Sequence, residues 1–385
     1  MQLIKKLTWP ILLLGLMALV LVACGGRQPA PELQGIDGWI NSEPLTLAEL
    51  RGKVVFIDFW TYTCVNCIRT FPYLKEWHEK YADYGLVIIG VHTPEFEFEK
   101  DRQNVIQAAR THELKYPIAQ DNNYATWNAY FNNAWPAKYI IDQNGDVRYL
   151  HVGEGAYAET EQVIRELLEE TGVSLERIDA NLEPEPQFDQ EAFAADPAQR
   201  LTRELYAGYE RNRTLPSAAF ATLFGETPAY IMHEEYYQQK DTDVFYQDPG
   251  RHLNHFIYLQ GMWHNGPQSL THAGTTEDYE DYIAIKFYAT SVNAVMSQGE
   301  SCRGTACRAP TEVRITLDGN PLTPSQAGED VRFDNLGNSY VLVDQSRMYR
   351  LVELPGFSSH DLKLSANSAN FSLFTFTFGA YDEGP

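Results

Sequence analysis

Val54-Val55-Phe56-Ile57-Asp58-Phe59-Trp60-Thr61-Tyr62-Thr63-Cys64-Val65-Asn66-Cys67 is the stretch whose reading decides the fold. Its run of β-branched and aromatic residues predicts a buried strand over 53–60. The strand ends in an aromatic turn, and the Cys-x-x-Cys that follows places both sulfurs at the start of the next helix. There the backbone N–H groups and the helix dipole favour a thiolate. A Cys-x-x-Cys can also be half of a zinc site, but no second such pair and no closely spaced histidine pair follows within about a hundred residues. A structural disulfide across so short a span closes almost no loop and constrains the unfolded chain little. Reversible dithiol–disulfide chemistry is therefore the expected use of Cys64 and Cys67.

Outward from this joint, strand and helix patterns alternate between Gly35 and Gly172, the signature of a layered α/β fold. A helix is expected over 64–84, a strand over 86–91 and a helix over 98–112. A strand over 138–142, an Asn144-Gly145 turn and a strand over 147–152 form a hairpin. An amphipathic helix over 159–171 follows. Asp58 shares its side of the strand alternation with Phe56 and Trp60, which predicts an interior carboxylate.

Phe56-Ile57-Asp58-Phe59-Trp60 before Cys-x-x-Cys, with Trp135-Pro136 ahead of a strand and an Asn-Gly hairpin, resembles the thioredoxin fold. The fuller text is Trp60-Thr61-Tyr62-Thr63-Cys64-Val65-Asn66-Cys67-Ile68-Arg69-Thr70, then Gly90-Val91-His92-Thr93-Pro94-Glu95-Phe96-Glu97-Phe98-Glu99. With His151-Val152-Gly153-Glu154-Gly155, it resembles the thioredoxin-like part of the DipZ proteins, relatives of the TlpA and ResA reductases. The resemblance implies that Cys64 is the nucleophile and that Cys67 resolves the mixed disulfide. It also implies that Asp58 assists proton transfer and that Pro136 follows a cis peptide bond facing the sulfurs. Trp60 and Trp135 either shield the sulfurs or serve as core, and His92, Glu95 and Glu154 are candidates to line the site. Two departures stand out: Thr70 where many of these relatives carry a pH-tuning glutamate, and Val65-Asn66 where thioredoxin has Gly-Pro.

The chain has 385 residues and opens with Lys5-Lys6, an apolar run over 11–23 and Leu21-Val22-Ala23-Cys24. This reads as a signal peptide over 1–23 that resembles a lipobox, with Cys24 the lipidated residue and 24–34 a tether. A formal charge of −22 argues against nucleic acid as a partner, since that needs a basic footprint. The 23 tyrosines and 19 phenylalanines supply ample core material. With Cys24 lipidated, the other four of five cysteines form two close pairs, Cys64/Cys67 and Cys302/Cys307, as expected of an exported protein.

A thioredoxin-like domain is thus expected over 35–178 and an acidic linker over 179–200. An all-β domain over 201–385 follows, with alternating runs such as Tyr282–Phe287, Val313–Leu317 and Phe374–Phe378 separated by Asp318-Gly319 and Leu336-Gly337-Asn338 turns. Tyr206-Ala207-Gly208-Tyr209-Glu210, Gly261-Met262-Trp263 and Leu317-Asp318-Gly319 resemble the C-terminal module of DipZ proteins. That resemblance implies an antiparallel sandwich of jelly-roll, carbohydrate-binding-module-like form. Trp263 reads as a core anchor before a stacking platform. His252, His255, His264 and His272, irregularly spaced, read as scattered surface residues rather than metal ligands. Cys302 and Cys307 read as a staple across a loop, with a second redox pair the alternative.

The expected function is that of an extracytoplasmic thiol–disulfide oxidoreductase, lipid-anchored in the bacterial envelope and needing no cofactor. It would reduce protein disulfides, including those of cytochrome c maturation. DipZ proteins fuse a similar domain to a CcdA-like membrane segment, so the resemblance implies a CcdA-like membrane electron donor. The alternatives are a thiol peroxidase of the redoxin class and a surface glycan- or protein-binding lipoprotein.

Overall fold

The computed structural model describes residues 28–180, 199–212, 229–276, 278–298, 310–369 and 371–379. The segment read as a signal peptide, Cys24, most of the segment read as an acidic linker, and Cys302 and Cys307 lie outside the described residues.

The first domain is a seven-stranded sheet with helices against it. Its elements are β1 (Gln28–Pro29), β2 (Gly38–Ile40), β3 (Val54–Trp60), α1 (Val65–Tyr81), β4 (Leu86–His92) and α2 (Arg102–Thr111). Then come β5 (Ile118–Gln120), α3 (Ala125–Ala129), β6 (Ala137–Ile141), β7 (Asp146–Val152) and α4 (Tyr157–Glu170). The strand order is β1-β7-β6-β3-β4-β5-β2, with β3 parallel to β4 and antiparallel to β6. All seven residues of β3 are buried, because it is a central strand covered on both faces. Its alternation therefore separates two cores: Phe56 and Trp60 pack with α1, while Val55, Ile57 and Phe59 pack beneath Trp127 and Tyr139.

Two local expectations are corrected. The helix read over 98–112 is broken, a 3-10 turn over Glu97–Lys100 being followed by α2. The break is at Asp101, which is extended and whose side chain accepts a hydrogen bond from the Gln103 N–H at 2.7 Å as the N-cap of α2. The described part of the segment read as a tether is built into the domain: Gln28–Pro29 pair with Asp146–Val147, and the Glu32 carboxylate accepts from the Leu47 and Ala48 N–H groups.

The second domain is all-β, and every named strand pairs antiparallel. It comprises β8 (Leu205–Tyr206), β9 (Asp243–Tyr246), β10 (Ile257–Asn265), β11 (Leu270–His272), β12 (Asp281–Ser297) and β13 (Thr311–Leu317). They are followed by β14 (Asn320–Pro321), β15 (Arg332–Phe333), β16 (Ser339–Val343), β17 (Arg347–Ala366) and β18 (Ser372–Gly379), with one short helix at Glu234–Gln238. The long β12 pairs with β10 through its first half and with β18 through its second; the register shifts near Ser291 mark where it changes neighbour.

The two domains share apolar surface. Val295, Met348 and Phe374 of the second domain belong to one buried cluster with Cys67, Phe71 and Phe96 of the first. The Phe374 ring lies 5.2 Å from Phe96 and 4.8 Å from Phe98, centre to centre, in edge-on geometry. The Tyr62 hydroxyl donates to the Ser346 carbonyl at 3.1 Å, and the Glu97 N–H to the Gln268 side chain at 2.8 Å.

Candidate active site

Strand β3 delivers Cys64 to the mouth of α1. Cys64 is the N-cap residue, extended at φ −77° and ψ 110°, and its Sγ accepts a hydrogen bond from the Cys67 N–H at 3.2 Å. One turn of helix separates the two residues, so Cys64 remains partly exposed while Cys67 is fully buried. Both are free thiols in the structure. Burial, reinforced by hydrogen bonding to Cys64, pushes the Cys67 thiol well above its ordinary value. One sulfur can meet a client, and the other is held protonated until it is needed.

Asp58 lies beneath the pair, completely buried, and neither carboxyl oxygen has a hydrogen-bond partner among the described residues. Burial raises it to about 7, opposed by the charge of Lys138. Lys138 faces it across the β3–β6 ladder, is itself buried, and donates from Nζ to the Gly153 carbonyl at 2.7 Å. Burial lowers the Lys138 ammonium, while Asp58 and Cys67 act against that shift. Sequence reading passed over Lys138, because a lone lysine in a strand ordinarily signals a solvent-facing position. It also passed over Tyr116, whose buried hydroxyl has no partner among the described residues and is pushed upward by burial, then by Asp58 and Cys67.

The flanking candidates separate by place. Trp60 is wholly buried, edge-on to Phe71 at 5.3 Å and to His92 at 4.9 Å. Its indole lies over Gly90, where an added Cβ would come within 2.8 Å of Nε1. Trp135 is half-buried against Trp127, and its indole N–H donates to the Thr93 carbonyl at 3.1 Å. The Trp135–Pro136 peptide bond is cis. His92 is buried between Trp60 and Tyr62 and close to Thr61; burial lowers it to about 3, so its ring is neutral. Glu154 pairs with Arg69 at 3.6 Å. Glu95 points to the second domain, accepting from the Tyr206 hydroxyl at 2.8 Å and pairing with Arg211 at 3.0 Å.

In the second domain Trp263 is fully buried, packed against Phe371 and His272, with its indole N–H on the Gln260 carbonyl. The four histidines are far apart in role, and no metal-binding group of three or more His, Cys, Asp or Glu occurs among the described residues. Two of them correct the surface reading. His272 is buried on Asp281, and His252 is nearly buried between Asp248 and Asp361, because each finds a carboxylate inside the fold.

Residues 27–150 match the AhpC/TSA family and residues 202–379 match the thioredoxin like C-terminal domain. Protein DipZ of Mycobacterium tuberculosis is 37% identical over 309 residues, covering 79% of this chain and 39% of DipZ. The chain thus spans about two fifths of the length of that relative. Thiol-disulfide oxidoreductase YkuV of Bacillus subtilis is 34% identical over 146 residues, 38% of this chain and 97% of YkuV. Thiol-disulfide oxidoreductase ResA of Bacillus cereus is 27% identical over 128 residues, 33% of this chain and 71% of ResA.

Proposed function

The chain belongs to the thioredoxin-like thiol–disulfide oxidoreductases related to DipZ and YkuV, and from that premise we propose that it reduces disulfide bonds in exported proteins through Cys64 and Cys67. The observation that carries this reading is the asymmetry of the pair, a partly exposed Cys64 at a helix N-terminus and a buried Cys67 over a buried Asp58.

The Cys64 thiolate attacks one sulfur of a client disulfide; a mixed disulfide forms and the client's other sulfur leaves as a thiolate that takes up a proton. Cys67 gives its proton to ionised Asp58 and attacks the Cys64 sulfur, breaking the mixed disulfide and releasing the second client sulfur as a thiolate, which takes up a proton as Asp58 sheds one to solvent. The client gains two electrons and the Cys64–Cys67 pair loses two. The reducing direction is taken from the resemblance to the TlpA and ResA reductases, and the redox midpoint of the Cys64–Cys67 pair tests it. A buried partner sulfur with a base beside it also favours dithiol exchange over the peroxidatic reading.

A membrane dithiol protein of the CcdA kind would return the oxidised pair to the dithiol state. Lipidation at Cys24 would hold the protein at the extracytoplasmic membrane surface, with apocytochrome c or other exported proteins as its clients. Among the described residues no helix is long and apolar enough to cross a membrane. The proposed domain limits are 28–178, the first strand being paired with β7, and 201–385, with the all-β part a sandwich. Insulin reduction with a dithiol donor tests the assignment: Cys64→Ser should abolish it, and Cys67→Ser should accumulate a mixed disulfide at Cys64. Activity retained by Cys64→Ser would overturn it.

A further inference from the structure

The segment Glu95–Glu99 touches both the redox helix and the second domain. Glu99 is fully buried, and its carboxyl oxygens accept from Thr63, Glu95 and Phe96. Oε1 accepts from the Thr63 hydroxyl at 2.6 Å and from the Thr63 N–H at 3.4 Å. Oε2 accepts from the Glu95 N–H at 2.5 Å and the Phe96 N–H at 2.9 Å. Thr63 immediately precedes Cys64, whose own N–H reaches the Thr61 carbonyl at 3.3 Å. On the opposite side, the Glu95 carboxylate is held by Tyr206 and Arg211 of the second domain, and Phe96 and Phe98 pack on Phe374. A continuous series of bonds therefore runs from the second domain to the residue before the nucleophile.

We propose that Glu99 is a positioning residue for Cys64, and that the contact of Glu95 with Tyr206 and Arg211 fixes the segment from which Glu99 acts. This rests on the thiol–disulfide exchange proposed above and goes further by giving the second domain a part in the redox centre. Displacing the Glu99 carboxyl would strand the buried Thr63 and Phe96 N–H groups, so the loop and Thr63 are held together. Thr63 sets where the chain enters α1, and the helix dipole acts only within its first turn. A displaced Cys64 Sγ therefore loses its place at the helix N-terminus and the Cys67 N–H from which it accepts.

Glu99→Gln offers one acceptor oxygen where the carboxyl offers two and must aim its NH₂ at other donors. Positioning and charge then predict opposite signs: a loosened loop slows the reaction of Cys64, whereas loss of the partial negative charge that Glu99 carries at pH 7, its carboxyl being raised to about 7 by burial and by Glu95, would quicken it. The test uses the full chain, following Cys64 alkylation by iodoacetamide at pH 7 by mass spectrometry, with the glutathione exchange constant and thermal unfolding measured alongside. In folded Glu99→Gln, alkylation should slow about tenfold and the exchange constant should move about tenfold, equivalent to about 30 mV. Arg211→Gln should slow alkylation about threefold. Faster alkylation in Glu99→Gln, or rates within twofold of the parent in both variants, would overturn the proposal. Should Glu99→Gln fail to fold, Thr63→Val decides in its place, with the same slowing expected and an unchanged rate contradicting. Parent protein that alkylates normally but does not reduce insulin would count against the proposed function and leave these readouts intact.

Discussion

Asp58 sits where a carboxylate is costly: completely buried, with no hydrogen bond to either oxygen among the described residues, and raised to about 7. Its ordinary value is 3.8, so between about pH 4 and 7 the folded protein binds a proton that the unfolded chain has released. Stability therefore falls as pH rises through that window and remains lower above it, by at most about 4 kcal/mol for a shift of about three units. Asp58→Asn should thus be more stable than the parent by roughly 2–4 kcal/mol at pH 8 in urea unfolding, with little difference at pH 4. The same variant should resolve mixed disulfides at least tenfold more slowly, because it lacks the base for Cys67. Equal stability at pH 8 would show that Asp58 is not ionised against its surroundings. The sequence marked Asp58 by its place six residues before Cys64. It did not mark Lys138 or Glu99, since what makes each matter is a partner brought by the fold, across the β3–β6 ladder for one and at Thr63 for the other.

Strand β3 and helix α1 were legible because a β-branched apolar run ending at a Cys-x-x-Cys admits few other readings, and they begin and end within a few residues of the expected limits. The short β2 and β5 and the helix α3 escaped notice: three to five residues carry too little periodicity to rise above their neighbours. The break at Asp101 escaped because the helical pattern runs through it, and only the capped N-terminus of α2 shows where the chain turns. Packing between β3 and β4 carries a direct test. Gly90 pairs with Asp58, and a Cβ there would meet Trp60 Nε1 at 2.8 Å and the Tyr116 ring at 3.1 Å. Gly90→Ala should therefore cost about 1–3 kcal/mol in denaturant unfolding by overpacking beneath the redox centre. A cost below about 0.5 kcal/mol would mean that Trp60 is free to move aside.

At the scale of the whole molecule, the order of an α/β domain followed by an all-β domain could be read from the change in pattern, but their joint packing could not. Phe374 meets Phe96 and Phe98, and Tyr206 meets Glu95, across long separations in sequence that no local signal reports. The consequence is a redox helix whose surroundings come from both domains, with Cys67 in the same buried cluster as Met348 and Phe374. The role proposed for this centre is to donate electrons. Equilibrating the folded chain in graded glutathione and dithiothreitol buffers, and scoring Cys64 and Cys67 by alkylation and mass spectrometry, measures that claim directly. A reducing midpoint near the roughly −270 mV of thioredoxin is expected. A midpoint near the about −120 mV of DsbA would contradict it and make the protein a source of disulfides.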